Sequence, residues 1–478
     1  MRYSLQQLSL ALLALCLPTF AVASSYSPLN ELPQGSRAAL KVQGLSNNKS
    51  YVATDNQSQL FPPASTLKIV TALAAKLELG DNFYYQTSID KSGKDVIIRF
   101  SGDPTLTTKD LKQLLTTMRD SGVKTIQGDL WLDNSAFTGY DRAVGWPWDI
   151  LGVCYSAPAS AITLDDNCVQ ASIYTQDDGK TRVYVPEHQP IYVTTQAATV
   201  SKSERESLQC DLELLTSPDN HYQLQGCLQQ RSKPLPLKFA VQDPSLYTQR
   251  VVNTLLSQLN IELKGSIKVG SVDQQGKQLA THNSKTLPEL LEVMLRKSDN
   301  LIADNLTKTI GAKFYIQPGS FGNGTQAIKQ ILFANTGIDI EHTPLADGSG
   351  LSRNNRFTSQ NMAAVLRYIW QHDDELDLIA LMPTSGTNGT LKYRRSMRKA
   401  PVKGEITAKS GSLYGSSNMA GFGLDKSGKP STLFVQFVAD YHPPKVKSDS
   451  KPTVAPITQF ETLFYQDVVN FSQAMPKK

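Results

Sequence analysis

Three short polar patterns along this chain have the residue types needed for serine chemistry: Ser-x-x-Lys, Ser-x-Asn and Lys-Ser-Gly. None is selective by itself. Ser-x-x-Lys occurs at Ser46, Ser65, Ser88, Ser121, Ser396 and Ser448, Ser-x-Asn recurs at Ser46, Ser298, Ser352, Ser359 and Ser416, and Lys-Ser-Gly starts at Lys91, Lys409 and Lys426. In FPPASTLKIV, however, Ser65 and Lys68 open an apolar helical run. Residues three apart share one helix face, so the Lys68 amine can reach the Ser65 hydroxyl. A helix start also presents backbone N–H groups and a positive dipole end to a developing oxyanion. Lysine accepts a proton only when neutral, and its ordinary pKa of about 10.4 falls through burial or a second cation nearby. The chemistry therefore asks for a second lysine and a polar relay. Ser298-Asp299-Asn300, in a turn between two helical runs, and Lys409-Ser410-Gly411, in a strand-like stretch, supply them. The other two Lys-Ser-Gly copies lie in IDKSGKD and LDKSGKP, which read as hairpin turns.

The elements that must carry these groups read as follows. RAALKVQGL and YVATDNQSQLF are short strands around a polar turn. STLKIVTALAAKLEL is helical by its apolar spacing and ends at Gly80. A long stretch of strands and turns follows, including VIIRFSGDPTL, IQGDLWLDNSAF and TRVYVPE. Helical texture returns in TLPELLEVMLRKSDNLIADNLTKTIGAKF and TSQNMAAVLRYIWQHDDELDLIALM. GEITAKSGSLYGSSNMAGFGL and STLFVQFVADY are strands, HPPKVKSDSKPTVAP is a surface loop, and QFETLFYQDVVNFSQAM is a last helix. The pattern is a mixed domain of residues 24–84 and 285–478, split by a large, mainly β insertion. Within it, residues 85–168 and 238–284 form one inserted domain, and 169–237 a second, nested one.

At 478 residues, 40% hydrophobic and 19% charged, the chain reads as globular, and its net charge of +5 is mild. No Lys/Arg block with interleaved aromatics points to nucleic acid. The first 23 residues read as a cleaved secretory signal, and Leu15 before Cys16 argues against lipidation. No later run is long enough to span a membrane. The mature chain keeps Cys154, Cys168, Cys210 and Cys227. In an exported protein this even count reads as two disulfides; of three connectivities, pairing of neighbours (Cys154 with Cys168, Cys210 with Cys227) is the expectation, with free buried cysteines as the alternative. The six histidines are scattered, and no metal-ligand spacing, P-loop or Gly-x-Ser-x-Gly elbow appears.

The ordered set of Ser-x-x-Lys on a helix start, Ser-x-Asn on a turn and Lys-Ser-Gly on a strand resembles the penicillin-recognising serine enzymes. Together with GWPWDILGVCYSAPASA, LADGSGLSRNN and AKSGSLYGSSNMAGF, and the large insertion, it resembles the class C low-molecular-mass penicillin-binding proteins, D-alanyl-D-alanine carboxypeptidase/endopeptidases of the penicillin-binding protein 4 type. The resemblance implies an α+β, β-lactamase/transpeptidase-like fold: an antiparallel sheet flanked by helices, carrying mainly-β inserted domains. It implies no metal or cofactor, and as partners peptidoglycan stem peptides and cross-links, β-lactam antibiotics and peripheral cell-wall or inner-membrane-associated partners, in the periplasm.

For the site it implies Ser65 as nucleophile, Lys68 as its base and Ser298 as a proton relay. Asn300 positions the acyl side chain, and Lys409 with Ser410 of the Lys409-Ser410-Gly411 strand holds the substrate carboxylate. The N–H groups of Ser65 and Ser412 form an oxyanion hole. Tyr155 and Arg353 match the family's recognition of a diaminopimelate side chain. The acidic residue expected five before Tyr155 is Ile150 here, with Asp149 one position earlier as candidate. Asp347 and Ser349 in ADGSGLSR read equally as a turn or as part of the chemistry. Two rivals are a serine β-lactamase, for which the Glu-x-x-Leu-Asn deacylating segment is missing, and a catalytically silent cell-wall scaffold.

Overall fold

The computed structural model describes residues 26–443 and 454–474. The segment read as a signal, and most of the HPPKVKSDSKPTVAP stretch, lie outside the described residues. Among the described residues no helix is long and apolar enough to cross a membrane.

A five-stranded antiparallel sheet organises the half that carries the three motifs. Its order is Ile406–Leu413, Ser416–Leu424, Pro430–Ala439, Arg37–Gly44 and Ser50–Ala53. The first long strand thus pairs with the last, from Arg37 opposite Ala439 to Gly44 opposite Thr432. Both faces are covered. On one lie the helices Leu67–Leu79, Leu287–Lys297, Asn300–Tyr315, Phe321–Thr336 and Ser359–Gln371, whose apolar residues share a core with Phe422, Leu433, Val435 and Phe437. On the other, Pro456–Gln473 packs Phe460, Phe464 and Val468 against Leu40, Phe434 and Val438. This two-sided burial is why STLFVQFVA is a nearly continuous apolar run, without the alternation of a half-solvated strand.

Leu67–Leu79 is the central helix: all of it but Leu77 and Glu78 is buried. It is apolar nearly all round because it meets neighbours on every side, and Gly80 ends it with φ +78°. The insertion departs just beyond it. Its larger sheet runs Ile267–Val269, Leu130–Asp133, Asp95–Arg99, Gln86–Ser92 and Lys277–Asn283, and its core is completed by the helices Thr108–Asp120 and Pro244–Gln258.

These two helices are absent from the strand-and-turn reading, although their signals are in the sequence. Thr107 and Asp110 form a capping box ahead of Leu111, Leu114, Leu115 and Met118. Asp243 caps the other helix, with Pro244 at its first turn and Tyr247, Val251 and Leu255 on its buried face. Helix Phe321–Thr336, capped by Ser320 and Asn323, is likewise an addition to the sequence reading.

A short parallel pair, Thr125–Ile126 with Glu262–Leu263, and two smaller sheets complete the insertion. One is Leu235–Ala240, Cys168–Thr175 and Thr181–Tyr184; the other is Ala198–Val200, His221–Gln229 and Leu212–Thr216, with Tyr192–Thr195 also on His221–Gln229. They share a small core that includes Ile173, Tyr222, Leu224 and Phe239. Both disulfides form between neighbours: Cys154 with Cys168, and Cys210 with Cys227, closing separations of 14 and 17 residues.

Candidate active site

The nucleophile candidate sits on a tight entry to the central helix. Ala64 to Thr66 make one 3-10 turn, Thr66 Oγ1 donates to the Pro63 carbonyl at 2.6 Å, and Ala64 is held at φ +48°. A non-glycine residue in that region is strained, and such strain concentrates at functional sites. One turn on, the Lys68 side chain is buried. Its Nζ donates to Ser65 Oγ at 3.1 Å, to Asn300 Oδ1 at 2.6 Å and to the Ser349 carbonyl at 2.6 Å.

Ser298 lies where Leu287–Lys297 stops and Asn300–Tyr315 begins. It takes a left-handed conformation (φ 61°, ψ 40°), and Asp299 caps the second helix by accepting the Ile302 N–H at 2.9 Å. This break between two helices aims the Ser298 hydroxyl at the facing strand, where Lys409 Nζ donates to Ser298 Oγ and to the Ser410 carbonyl, both at 2.8 Å. Gly411 lets that strand lie against the nucleophile turn. A Cβ there would stand 2.9 Å from Ser65 N, 2.9 Å from the Pro63 carbonyl oxygen and 2.8 Å from Thr66 N. The three motifs thus converge from a helix start, an interhelical turn and a strand.

Electrostatics follow from the burial. Lys68 is lowered to about 8, chiefly because burial penalises its ammonium; the carboxylates of Asp304, Asp347 and Asp299 oppose that fall. Lys409 is pushed well below its ordinary value by burial, then by the charge of Lys68. Two dehydrated amines facing one serine pair cannot both keep their protons cheaply. The cluster therefore presents a neutral amine close to neutral pH, which is what a lysine general base requires.

The insertion reaches the same place. Lys308, buried on the Asn300–Tyr315 helix, donates to the carbonyls of Tyr140 (2.8 Å) and Ala159 (2.7 Å). Trp146 Nε1 donates to Asp347 Oδ2 at 2.8 Å, Ser352 Oγ to the Val144 carbonyl at 2.7 Å, and Asn300 Nδ2 to the Tyr155 carbonyl at 2.7 Å. The segment between these anchors brings Asp149, Ile150 and Tyr155 to one cleft with Ser65, Asn300, Ser412 and Arg353. Asp149 and Ile150 both line it, and the Arg353 guanidinium lies 6.0 Å over the Tyr414 ring.

Ser349, left open in the sequence between a turn and the chemistry, takes part through its carbonyl, which holds Lys68. The sequence reading missed two participants: Thr390 shares a 2.9 Å hydrogen bond with Ser410 Oγ, and buried Asp304 accepts the N–H groups of Gly348 and Ser349. The first had no sequence signal beyond a Gly/Thr-rich turn, and the second acts on the backbone of a turn distant in sequence.

A serine, two dehydrated lysines and a Ser-x-Asn turn at the edge of a helix-covered antiparallel sheet define the class of penicillin-recognising serine enzymes. The chain belongs to the D-Ala-D-Ala carboxypeptidase 3 (S13) family, whose model matches residues 23–461, and is a serine-type D-Ala-D-Ala carboxypeptidase. It is 37% identical over 465 residues to the D-alanyl-D-alanine carboxypeptidase DacB of Haemophilus influenzae, covering 95% of this chain and 96% of that one. It is also 27% identical to the D-alanyl-D-alanine carboxypeptidase of an Actinomadura species, over 81% of this chain and 75% of that protein. The crystal structure of penicillin binding protein 4 from Haemophilus influenzae superimposes with a TM-score of 0.85 at 37% identity, over 93% of this chain and 98% of that one. The same Haemophilus protein has been solved in complex with a β-lactam.

Proposed function

We propose that the chain is exported to the periplasm and remodels peptidoglycan there, removing the terminal D-alanine of stem peptides and also cutting D-Ala-diaminopimelate cross-links. One observation carries this reading: Lys68 Nζ stands 3.1 Å from Ser65 Oγ inside a dehydrated cluster closed by Asn300, Ser298 and Lys409. Ser65 attacks the carbonyl of the penultimate D-alanine as Lys68 takes its proton. Ser298, held by Lys409, passes a proton to the leaving amine, and water then hydrolyses the ester. Lys409 and Ser410, the latter backed by Thr390, hold the departing carboxylate; Gly411 allows the close approach, and the N–H groups of Ser65 and Ser412 stabilise the oxyanion. The same serine is acylated by β-lactams, a reading supported by the β-lactam complex of the Haemophilus relative.

For substrate choice, Arg353, Tyr155 and Asp149 on one cleft suit a side chain that ends in both an amine and a carboxylate, as diaminopimelate does. Incubation with a purified pentapeptide muropeptide and a cross-linked dimer, followed by product analysis, tests the proposal. D-Alanine released from the first and monomers from the second are expected. Release from the pentapeptide with an intact dimer would remove the endopeptidase reading, and leave the family activity in place.

A further inference from the structure

The turn that touches Lys68 is pressed between two helices. A Cβ at Gly348 would sit 1.8 Å from Thr307 Oγ1, and one at Gly350 2.0 Å from the Ala64 carbonyl oxygen. From the central helix, Thr71 Oγ1 donates to the Gly348 carbonyl at 2.7 Å. From the Asn300–Tyr315 helix, Asp304 Oδ1 accepts the N–H groups of Gly348 (3.1 Å) and Ser349 (2.9 Å). The carbonyl of that same Ser349 takes the Lys68 hydrogen bond at 2.6 Å.

Asp347, within the turn, already closes it. Its two oxygens accept from Gly350 N, Ser352 N, Asn355 Nδ2 and Trp146 Nε1. Asp304 is 1% exposed, and its Oδ2 has no hydrogen-bond partner among the described residues. A buried carboxyl with one bare oxygen is an expensive way to brace a turn that another aspartate braces fully.

We propose that Asp304 is a positioning residue for Lys68: by pinning the Gly348–Ser349 peptide it presents the Ser349 carbonyl to Lys68 Nζ and so holds that nitrogen between Ser65 and Asn300. The inference rests on Lys68 being the base that activates Ser65. Burial, and then the neighbouring Asp347, push the Asp304 carboxyl well above the usual range, against the pull of Lys68 and the turn N–H groups. The charged groups that face Lys68 are Asp304, Asp347, Asp299 and Lys409.

The test is the second-order rate of acylation by benzylpenicillin, measured across the Lys68 titration for the full chain and two variants. Asp304→Asn keeps the acceptor and the shape; Asp304→Leu keeps only the shape. The Asn variant is expected within about threefold of the unaltered protein, and the Leu variant about thirtyfold slower. The acid limb of the Leu variant should also lie at lower pH than that of the Asn variant, because there the Lys68 ammonium loses the carbonyl that favours it as well as the carboxylate. A purely structural role would leave that limb in place. Wild-type rates in Asp304→Leu, or equal losses in both variants, overturn the proposal. If the Leu variant does not fold, a slowdown beyond about tenfold in Asp304→Asn does the same. A Lys68→Ala control that acylates normally would instead refute the base assignment on which the inference stands.

Discussion

The main sheet and the two small inserted sheets place their charged groups in opposite ways. Around the main sheet, Lys68, Lys308, Lys409, Asp304, Asp347 and Glu461 are all at most 3% exposed. The larger inserted sheet also buries Asp90 and Asp133 against Arg99, whereas in the two small inserted sheets pairs such as Lys180–Asp178, Lys202–Glu206 and Arg205–Asp211 stay at the surface. Strands there alternate between half-buried and exposed residues, as in Thr181–Tyr184 and Tyr192–Thr195. A sheet with a core on both faces can carry dehydrated charges, whose burial is costly unless each is paired or hydrogen-bonded. Small sheets around one thin core cannot. They are held instead by covalent closure, and both disulfides lie in this half or at its border with the site. The lesson is that functional charge is placed where packing is deepest, and the insertion brings surface and shape to it.

This contrast can be broken or sharpened in four ways. The largest effect is expected from Ser65→Ala, which should abolish the covalent benzylpenicillin adduct in intact-mass measurement, while Ser203→Ala in the exposed helix of the insertion changes nothing. An adduct on the Ser65 variant would move the nucleophile elsewhere.

Next comes the lysine pair. Because Lys68 is lowered to about 8 and works as a neutral amine, acylation should rise as pH approaches about 8 from below, and flatten above it. Lys68→Ala should lower the rate by about a hundredfold to ten-thousandfold. A rate that is flat from mildly acidic pH upward would mean the amine is never the titrating base.

Third, Glu461 separates buried charge for stability from buried charge for chemistry. It accepts hydrogen bonds from Arg394, Ser396 and Ser417 and ties the last helix to the sheet. Glu461→Ala leaves the half-buried Arg394 guanidinium without its carboxylate partner, and should cost about 3 kcal/mol in denaturant unfolding. The acylation rate of the folded protein should hold, and a rate that fell in step with stability would erase the distinction.

The smallest effects belong to the disulfides. Replacing either pair with serine should cost about 3 kcal/mol on the chain-entropy account. Only loss of Cys154–Cys168 should also raise KM for a stem peptide severalfold. Cys154 precedes Tyr155, whose carbonyl holds Asn300 and whose ring lines the cleft. Equal KM values for the two variants would show that the bridge beside the site positions nothing.

Much of the fold was legible because its signals are local. Apolar spacing marked Leu67–Leu79 and Pro456–Gln473, and STLFVQFVADY read as a strand, which the structure covers on both faces. The capping box at Thr107 and the Asp243-Pro244 start were equally local, yet surrounding strand texture hid them, and the box at Ser320 was passed over between two helical runs. At the site, order along the chain singled out Ser65, Ser298 and Lys409 from repeated patterns. Thr390 and Asp304 left no comparable trace, since each matters only through a neighbour distant in sequence.

The sequence by itself determined that Ser65 and Lys68 share a helix face, since three residues along a helix is a fixed geometry. It determined too that the cysteines could close short loops. Only the tertiary structure decided which amines are dehydrated and what holds them. Those answers depend on burial and on convergence of the Asn300 turn, the Ser349 turn and the Lys409 strand on one nitrogen and one hydroxyl. Proton affinity is set by everything within a few ångströms, and chain order does not record what folding brings that close.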